Sequence, residues 1–415
     1  MKKFLSLCLA VMMLVSMSAA AFAEGTTITV AVWDLTKAPF FPAIKDAYEA
    51  KNPDVTIEYI DLASQDYNMK ASTMLAGGDT TDAFFAKELS DVQNWASEGF
   101  ILNLNDRIAA DGMDMSKYAG MDKVYQLVGT EDYYALPFRA DFWVLFYNKT
   151  LFDKAGIAYP TNDMTWDAYA QLARDLAKDG TCYGTHHHTW LSSAVNWAVC
   201  DGVNTLADGD YDDLAYFYQM IHDLEDDGVI MTYDELKASS LHYSGAFAQG
   251  NIAMMPMGYW FAATLMQYSE EKSIDFDWGF TAVPHLEGVA AGSSFGSPTG
   301  IVVNAKSEQP DATWDFVSFA CSEEGAKAVA ATGTRPAFVS EEVASVMASS
   351  KGFPADETSK AALLPTAIAL EWPIGEGVTE IKTIVNEEHS LIMSREVSIE
   401  DGIKSMEERS AEYVK

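Results

Sequence analysis

The chain has 415 residues, with 61 Asp and Glu against 27 Lys and Arg, giving a formal charge of −34. No basic block interrupts that excess, which argues against nucleic acid as a partner and disfavours phosphate, sulfate or polyanionic substrates. A neutral solute fits better.

Met1-Lys2-Lys3, an apolar stretch from Phe4 to about Val15 and then Ala21-Phe22-Ala23 have the three parts of a secretory signal peptide, cleaved after Ala23. The apolar stretch is shorter than the roughly 18–20 residues of a spanning helix. Cys8, flanked by Leu5-Ser6-Leu7, lies too early to be the acylated cysteine of a lipoprotein. Loss of Lys2 and Lys3 takes the charge from −34 to −36. The remaining Cys182, Cys200 and Cys321 leave open one Cys182–Cys200 disulfide or three buried thiols. About 390 mature residues exceed one comfortable core, so two domains are expected. The lack of a long Pro/Gly/Ser linker points to short crossings between them.

In chain order, Thr27–Val32 reads as a strand, Phe40–Lys51 as a helix and Val55–Ile60 as a strand. Tyr67–Ala76 then reads as a helix stopped by Gly77-Gly78, Ala83–Phe85 as a strand, and Val92–Glu98 as a helix with Gly99 at C′. This β-α-β-α-β-α order predicts a parallel sheet, in which ligands bind beyond the carboxyl ends of the strands. Trp33-Asp34 and the Lys87-Glu88-Leu89-Ser90 turn therefore share a rim. The apolar run Phe142–Phe146, entered at Pro137, reads as a strand covered on both faces that crosses from one domain to the other. Arg139 and Asp141 stand at its mouth, a charged pair with an energetic cost unless a partner or ligand satisfies it.

Thr165 should cap a helix carrying Asp167 in its first turn and closed by Gly180. A strand near Cys182–Thr185 follows, then a turn with His186-His187-His188 and Trp190. Ala248-Gln249-Gly250 ends a helix, Ile252–Met257 is a strand, and Gly258-Tyr259-Trp260 opens another helix, placing Trp260 at a strand's carboxyl end. Thr299–Asn304 is a strand, Asp311–Cys321 and Ser322–Ala331 are helices broken by Gly333-Thr334-Arg335-Pro336, and the remainder is helical around an aromatic turn, Glu371-Trp372-Pro373.

Tyr147-Asn148-Lys149-x-x-Phe152-x-x-Ala155-Gly156 followed by Thr165-Trp166-Asp167, then Phe247-x-x-Gly250-x-x-Ala253-Met254-x-x-x-Gly258-x-Trp260, and then Ser297-Pro-Thr-Gly-Ile-Val-Val-Asn304 leading into Ala312-x-Trp314-x-Phe316-x-x-Phe319 form one ordered set. In that order, over essentially the whole mature chain, they resemble the extracellular solute-binding proteins of ABC importers, in the sugar-binding group that includes maltose-binding protein. The resemblance implies an α/β, two-lobed periplasmic-binding-protein-like fold with a ligand cleft between the lobes. By analogy one lobe takes 24–138 and 293–334, and the other 139–292 and 335–415, with the first crossing at Pro137–Arg139. It implies a monomer that holds a carbohydrate and delivers it to the membrane permease subunits of an ABC importer, with no cofactor, metal or catalysis. The family's ligand positions carry over to Trp33, the Lys87-Glu88 turn, Asp141, Trp190 and Trp260. The tryptophan that a member of that group carries in the turn after the third strand is replaced here by Ala86-Lys87.

These residue types suit a sugar, whose C–H faces want flat apolar rings and whose hydroxyl equator wants paired polar groups. Trp33, Asp34, Lys87, Glu88, Arg139, Asp141, Trp190, Tyr259, Trp260, Arg335 and Trp372 form the predicted ligand set. Each has a plainer reading. Trp33, Trp190 and Trp260 could be core, as Trp166 and Trp314 are expected to be; Asp141 could be the ion-pair partner of Arg139, Glu88 a solvated loop charge, and Arg335 a support of the crossing. The histidine run reads as a polar rim turn with one imidazole towards the cleft, since adjacent residues cannot all face one ion. Two alternatives stay open. A secreted glycosidase would need paired carboxylates about 5–10 Å apart, and no recognisable hydrolase motif is present. A polyamine- or iron-binding protein of the same fold would want an acidic or paired-tyrosine cleft, for which Tyr133-Tyr134 is the obvious candidate.

Overall fold

A computed structural model describes residues 25–118, 121 and 123–414, so the signal-peptide reading lies outside the described residues. The helices follow local signals closely. Phe40–Lys51 and Tyr67–Ala76 are helical as expected, and Thr165 caps Trp166–Ala177 by accepting from the Ala168 N–H. Gly99 and Gly180 take the left-handed backbone that only glycine enters without strain.

Strands β1 (Thr26–Trp33), β2 (Val55–Leu62), β3 (Ala83–Ala86), β4 (Leu136–Ala140) and β9 (Pro298–Val303) make a sheet in the order β2-β1-β3-β9-β4. β1 pairs parallel to β2 and β3, as expected, but β9 runs antiparallel to β3 and β4, so the sheet is mixed. β1 is an interior strand, and Ile28, Val30, Ala31 and Val32 are wholly buried, whereas edge strand β2 buries Val55 and Ile57 and exposes the alternating Thr56 and Glu58. A second sheet, β6-β5-β7, is antiparallel and joins β5 (Trp143–Asn148) to β6 (Met254–Gly258) and β7 (Trp278–Ala282). β8 (Ser293–Gly296) and β10 (Ala367–Leu370) pair parallel in a small third sheet.

Two hydrophobic cores result. One gathers Ile28 to Ala140 with Ile301 to Cys321, Val329 and Ala337; the other gathers Phe142 to Phe295 with Val343 to Met406 and the helix residues Ala326 and Ala330. The molecule is a two-lobed α/β protein, and the terms first and second body refer to these cores. Phe338 packs against both, and the 370–374 segment straddles them, with Leu370 and Ile374 on the first core and Trp372 in the second.

Several elements differ from the sequence reading. The apolar crossing stretch is two strands, not one: β4 belongs to the first sheet, β5 to the second, and the chain changes body at Asp141-Phe142. The segment expected as a strand at Cys182–Thr185 makes only a single bridge, Tyr183 to Ile252. Gly184 is pressed so closely on the helix Trp166–Ala177 that a Cβ there would lie 2.0 Å from the Ala173 carbonyl oxygen. β7, β8 and β10 carry too little alternation over four or five residues to announce themselves. Cys182, Cys200 and Cys321 are free thiols.

The passages between bodies converge. The Arg335 guanidinium donates from Nη1 to the Ala140 carbonyl at 2.9 Å, Arg139 bridges to Pro336, and the Ala337 N–H donates to the Phe138 carbonyl at 3.0 Å. At Gly296, where the chain turns back from β8 towards β9, a Cβ would sit 2.1 Å from the Asp141 carbonyl oxygen. Gly296→Ala must therefore push one passage off another, and urea unfolding should show a loss of about 2–4 kcal/mol; unchanged stability would contradict this packing.

Candidate functional site

The ends of β1 and β3 carry the first body's side. Asp34 follows β1 with a φ of 48°, a left-handed conformation that Asp tolerates better than most residues. Trp33 itself is 6% exposed, boxed edge-on by Phe41, Tyr67 and Phe85. Two cations lie over its ring, the Lys87 ammonium at 5.1 Å and the Arg139 guanidinium at 5.8 Å. Lys87 donates to the Ser64 carbonyl at 3.0 Å and hydroxyl at 3.1 Å, and burial lowers its pKa against the pull of Glu88 and Asp34. Trp33 is thus a covered floor beneath two charged groups, not an open stacking surface.

The second body presents an aromatic cluster. Trp260 begins the helix Phe261–Glu271 and donates from Nε1 to the Tyr243 hydroxyl at 3.1 Å. Its ring lies 5.8 Å from Trp143 and 6.4 Å from Trp190, and Trp190 lies 5.4 Å from Tyr243. Gly258 permits this: a Cβ there would fall 1.9 Å from Cζ3 of Trp260, so the indole folds back over the end of β6 only because the side chain is absent. Trp143 and Tyr243 were missed in the sequence; Trp143 looked like part of a buried apolar run, and it is buried, but its Nε1 donates outwards to the Glu371 carboxylate at 2.9 Å.

Arg139, Asp141, Tyr259 and Arg335, predicted as ligand contacts, come together at the crossing. Arg139 Nε stands 2.7 Å from Asp141 Oδ2, and both side chains are buried. Burial raises the Asp141 pKa while Arg139 and Arg335 pull it back. Tyr259 stacks on Phe142 with centroids 5.5 Å apart and its N–H donates to the Phe142 carbonyl, while Arg335 covers Phe142 at 5.2 Å. Trp372 is packed into the second core, so of the Glu371-Trp372 turn it is the carboxylate that reaches Trp143.

The two sides meet through charge. Glu88 is not a solvated loop residue: it accepts from Lys382, on the helix Val378–Met393 of the second body, at 2.5 Å. Thr264 Oγ1 donates to the Lys37 carbonyl at 3.4 Å, joining the loop after β1 to the second body. Asp91, behind Glu88, is pushed up to about 7 by burial and by the Glu88 charge; Glu371 is pushed up to about 7 by burial, against the Trp143 hydrogen bond. Lys382 carried no motif, and Glu371 was noted only as part of an aromatic turn, until the fold brought both towards Glu88.

The histidine run departs from expectation. His186 and His187 are 1% and 6% exposed, and burial drives all three imidazoles down to about 3. His187 Nε2 lies 2.8 Å from the Tyr169 hydroxyl, and the His188 ring stands edge-on to Trp190 at 4.6 Å. The run is an inner wall behind Trp190. With Ser193 and His389, His187 and His188 line a cavity of about 10 Å³ bounded by second-body residues.

Two α/β bodies joined by short crossings, with an aromatic wall on one and a charged rim on the other, define a two-lobed binding protein with a cleft between the lobes. The chain belongs to the bacterial extracellular solute-binding protein family, which matches residues 33–327. A sugar transporter from Rhizobium etli, crystallised in an open conformation, is 39% identical with a TM-score of 0.76, over 93% of this chain and 99% of that one. An ABC substrate-binding protein from Listeria monocytogenes in complex with cycloalternan shares the fold, with a TM-score of 0.77 and 23% identity over 94% of this chain and 99% of that one. A lactose-binding protein of Rhizobium radiobacter is 25% identical over 321 residues, 72% of this chain and 71% of its own length. The family and these relatives are binding proteins. Among the described residues, no helix is long and apolar enough to cross a membrane.

The raised Glu371 gives a pH test. A carboxyl whose folded pKa lies above its unfolded value favours folding below the unfolded pKa, and that contribution is lost as pH rises towards about 7. Glu371→Gln mimics the protonated form, so its melting temperature should gain on the wild type between pH 5 and pH 8.5; a pH-independent difference would contradict the assignment.

Proposed function

We propose that this protein captures a neutral saccharide between its lobes and delivers it to the membrane subunits of an ABC importer. The observation that carries this reading is the part-exposed pair Trp190 and Trp260, backed by Trp143 and Tyr243, on one body, with Asp34 and Arg139 of the other body near Tyr243 and Glu88 of that body reaching Lys382. Indole rings offer the C–H face of a pyranose a flat surface, and the carboxylates and lysines accept from and donate to its hydroxyls. The lobes follow the two cores, the chain changing lobe at Asp141-Phe142, near Gly296 and near Arg335, and they close about these passages. The relatives named above for sugar transport, cycloalternan and lactose support a carbohydrate ligand.

In this reading the chain is exported, cleaved after Ala23 and released without a lipid anchor, and it acts as a monomer that returns its sugar unchanged. Catalysis is disfavoured because the family and the relatives named above are binding proteins. Incubation with oligosaccharides should release no reducing ends.

A melting-temperature screen against neutral saccharides should find ligands that raise apparent stability by mass action. Trp260→Ala should weaken binding of the best ligand by about 1–3 kcal/mol in calorimetric titration, with the ligand-free melting temperature little changed. Unchanged affinity would remove Trp260 from the site, and a screen in which charged solutes bind and saccharides do not would overturn the reading.

A further inference from the structure

Lys87 and Arg139 find partners within the first body, at Ser64 and at Asp141 beside the crossing. Glu88 and Lys382 instead reach each other from opposite bodies, with each side chain 32% exposed. Lys382 is the fifth residue of its helix, past the first turn, where the helix itself has no particular need for a lysine. Its surroundings do. Glu371 of the second body and Glu88 and Asp91 of the first are three carboxyls that would repel one another, and Lys382 feels all three. Burial works to raise the Glu88 pKa, yet the charge and hydrogen bond of Lys382, with the Lys87 charge and an Asn68 hydrogen bond, outweigh it and hold the carboxyl below its usual value.

We propose that Glu88 and Lys382 form a latch across the cleft, an ion pair made when the lobes close and broken when they open, which adds to the hold of the ligand on the closed form. The latch rests on the lobe closure proposed above. A fully exposed pair would contribute little, but this one is two-thirds covered and stands among like charges that need a cation. Its effect falls on release: the pair slows opening, so residence time depends on two side chains beyond the aromatic wall.

The test is a double-mutant cycle of Glu88→Gln and Lys382→Met, with Lys382→Arg as the charge-retaining control. Melting curves establish that each variant folds. Sugar release is measured by stopped flow with the disaccharide that most raises the melting temperature among lactose, maltose, cellobiose and sucrose. Each neutral single variant should release about tenfold faster, the double no faster than the faster single, and K382R close to wild type. Singles that release at the wild-type rate, or a double whose acceleration is the product of the singles, would overturn the latch. If no sugar in the panel raises the melting temperature, that result counts against the proposed function, and the latch is read from small-angle scattering of ligand-free protein. There E88Q and K382M should be more expanded than wild type, and equal radii of gyration would overturn it.

Discussion

The buried ion pair between Arg139 and Asp141, with Arg335 beside it, is the constraint on which the rest of the structure depends. Here the chain leaves one sheet and enters the other, and the later passages near Gly296 and Arg335 press against the same few residues. A buried carboxylate without a cation would be costly, and a buried guanidinium without a carboxylate equally so. Each charge therefore fixes the position of the other, and with it the relation between the two bodies.

That arrangement decides what the cleft can be. The first sheet ends in covered, charged groups, with Trp33 roofed by Lys87 and Arg139, while the second body supplies Trp260, Trp190 and Tyr243. An asymmetric cleft of this kind suits a ligand with one apolar face and a polar edge. The electrostatics agree: carboxyls such as Asp91 and Glu371, poised near neutrality, can accept from or donate to a hydroxyl without drawing in a counterion. The overall excess of acidic residues points the same way, away from anionic solutes.

Much of the fold was legible because its signals are local. Helix Phe40–Lys51, helix Tyr67–Ala76, the Thr165 cap and the position of Trp260 at a strand's end follow from periodicity, capping and glycine placement. The mixed direction of the first sheet was not legible, since β9 joins it from more than 150 residues beyond β4. Nor was the division of the crossing stretch, because strands of two different sheets can share one apolar run. In the site, Trp260 and the Lys87-Glu88 turn stood out through strand-end position. Trp143 and Lys382 did not, and of the Glu371-Trp372 turn it was the indole that was read towards the ligand, because the relevance of these residues depends on which distant segments the fold places opposite each other. Arg139, Asp141 and Arg335 were found, and the fold gathers them at the crossing, where Arg139 pairs with Asp141 and Arg335 donates to the Ala140 carbonyl.

The central claim is that ligand is held by both bodies at once, and hydrogen–deuterium exchange with a bound saccharide tests it most directly. The account predicts simultaneous protection of segments 86–91 and 33–37 on the first body and 190–196, 258–264 and 378–382 on the second. Protection confined to one body, or spread evenly over both cores without these segments, would contradict it.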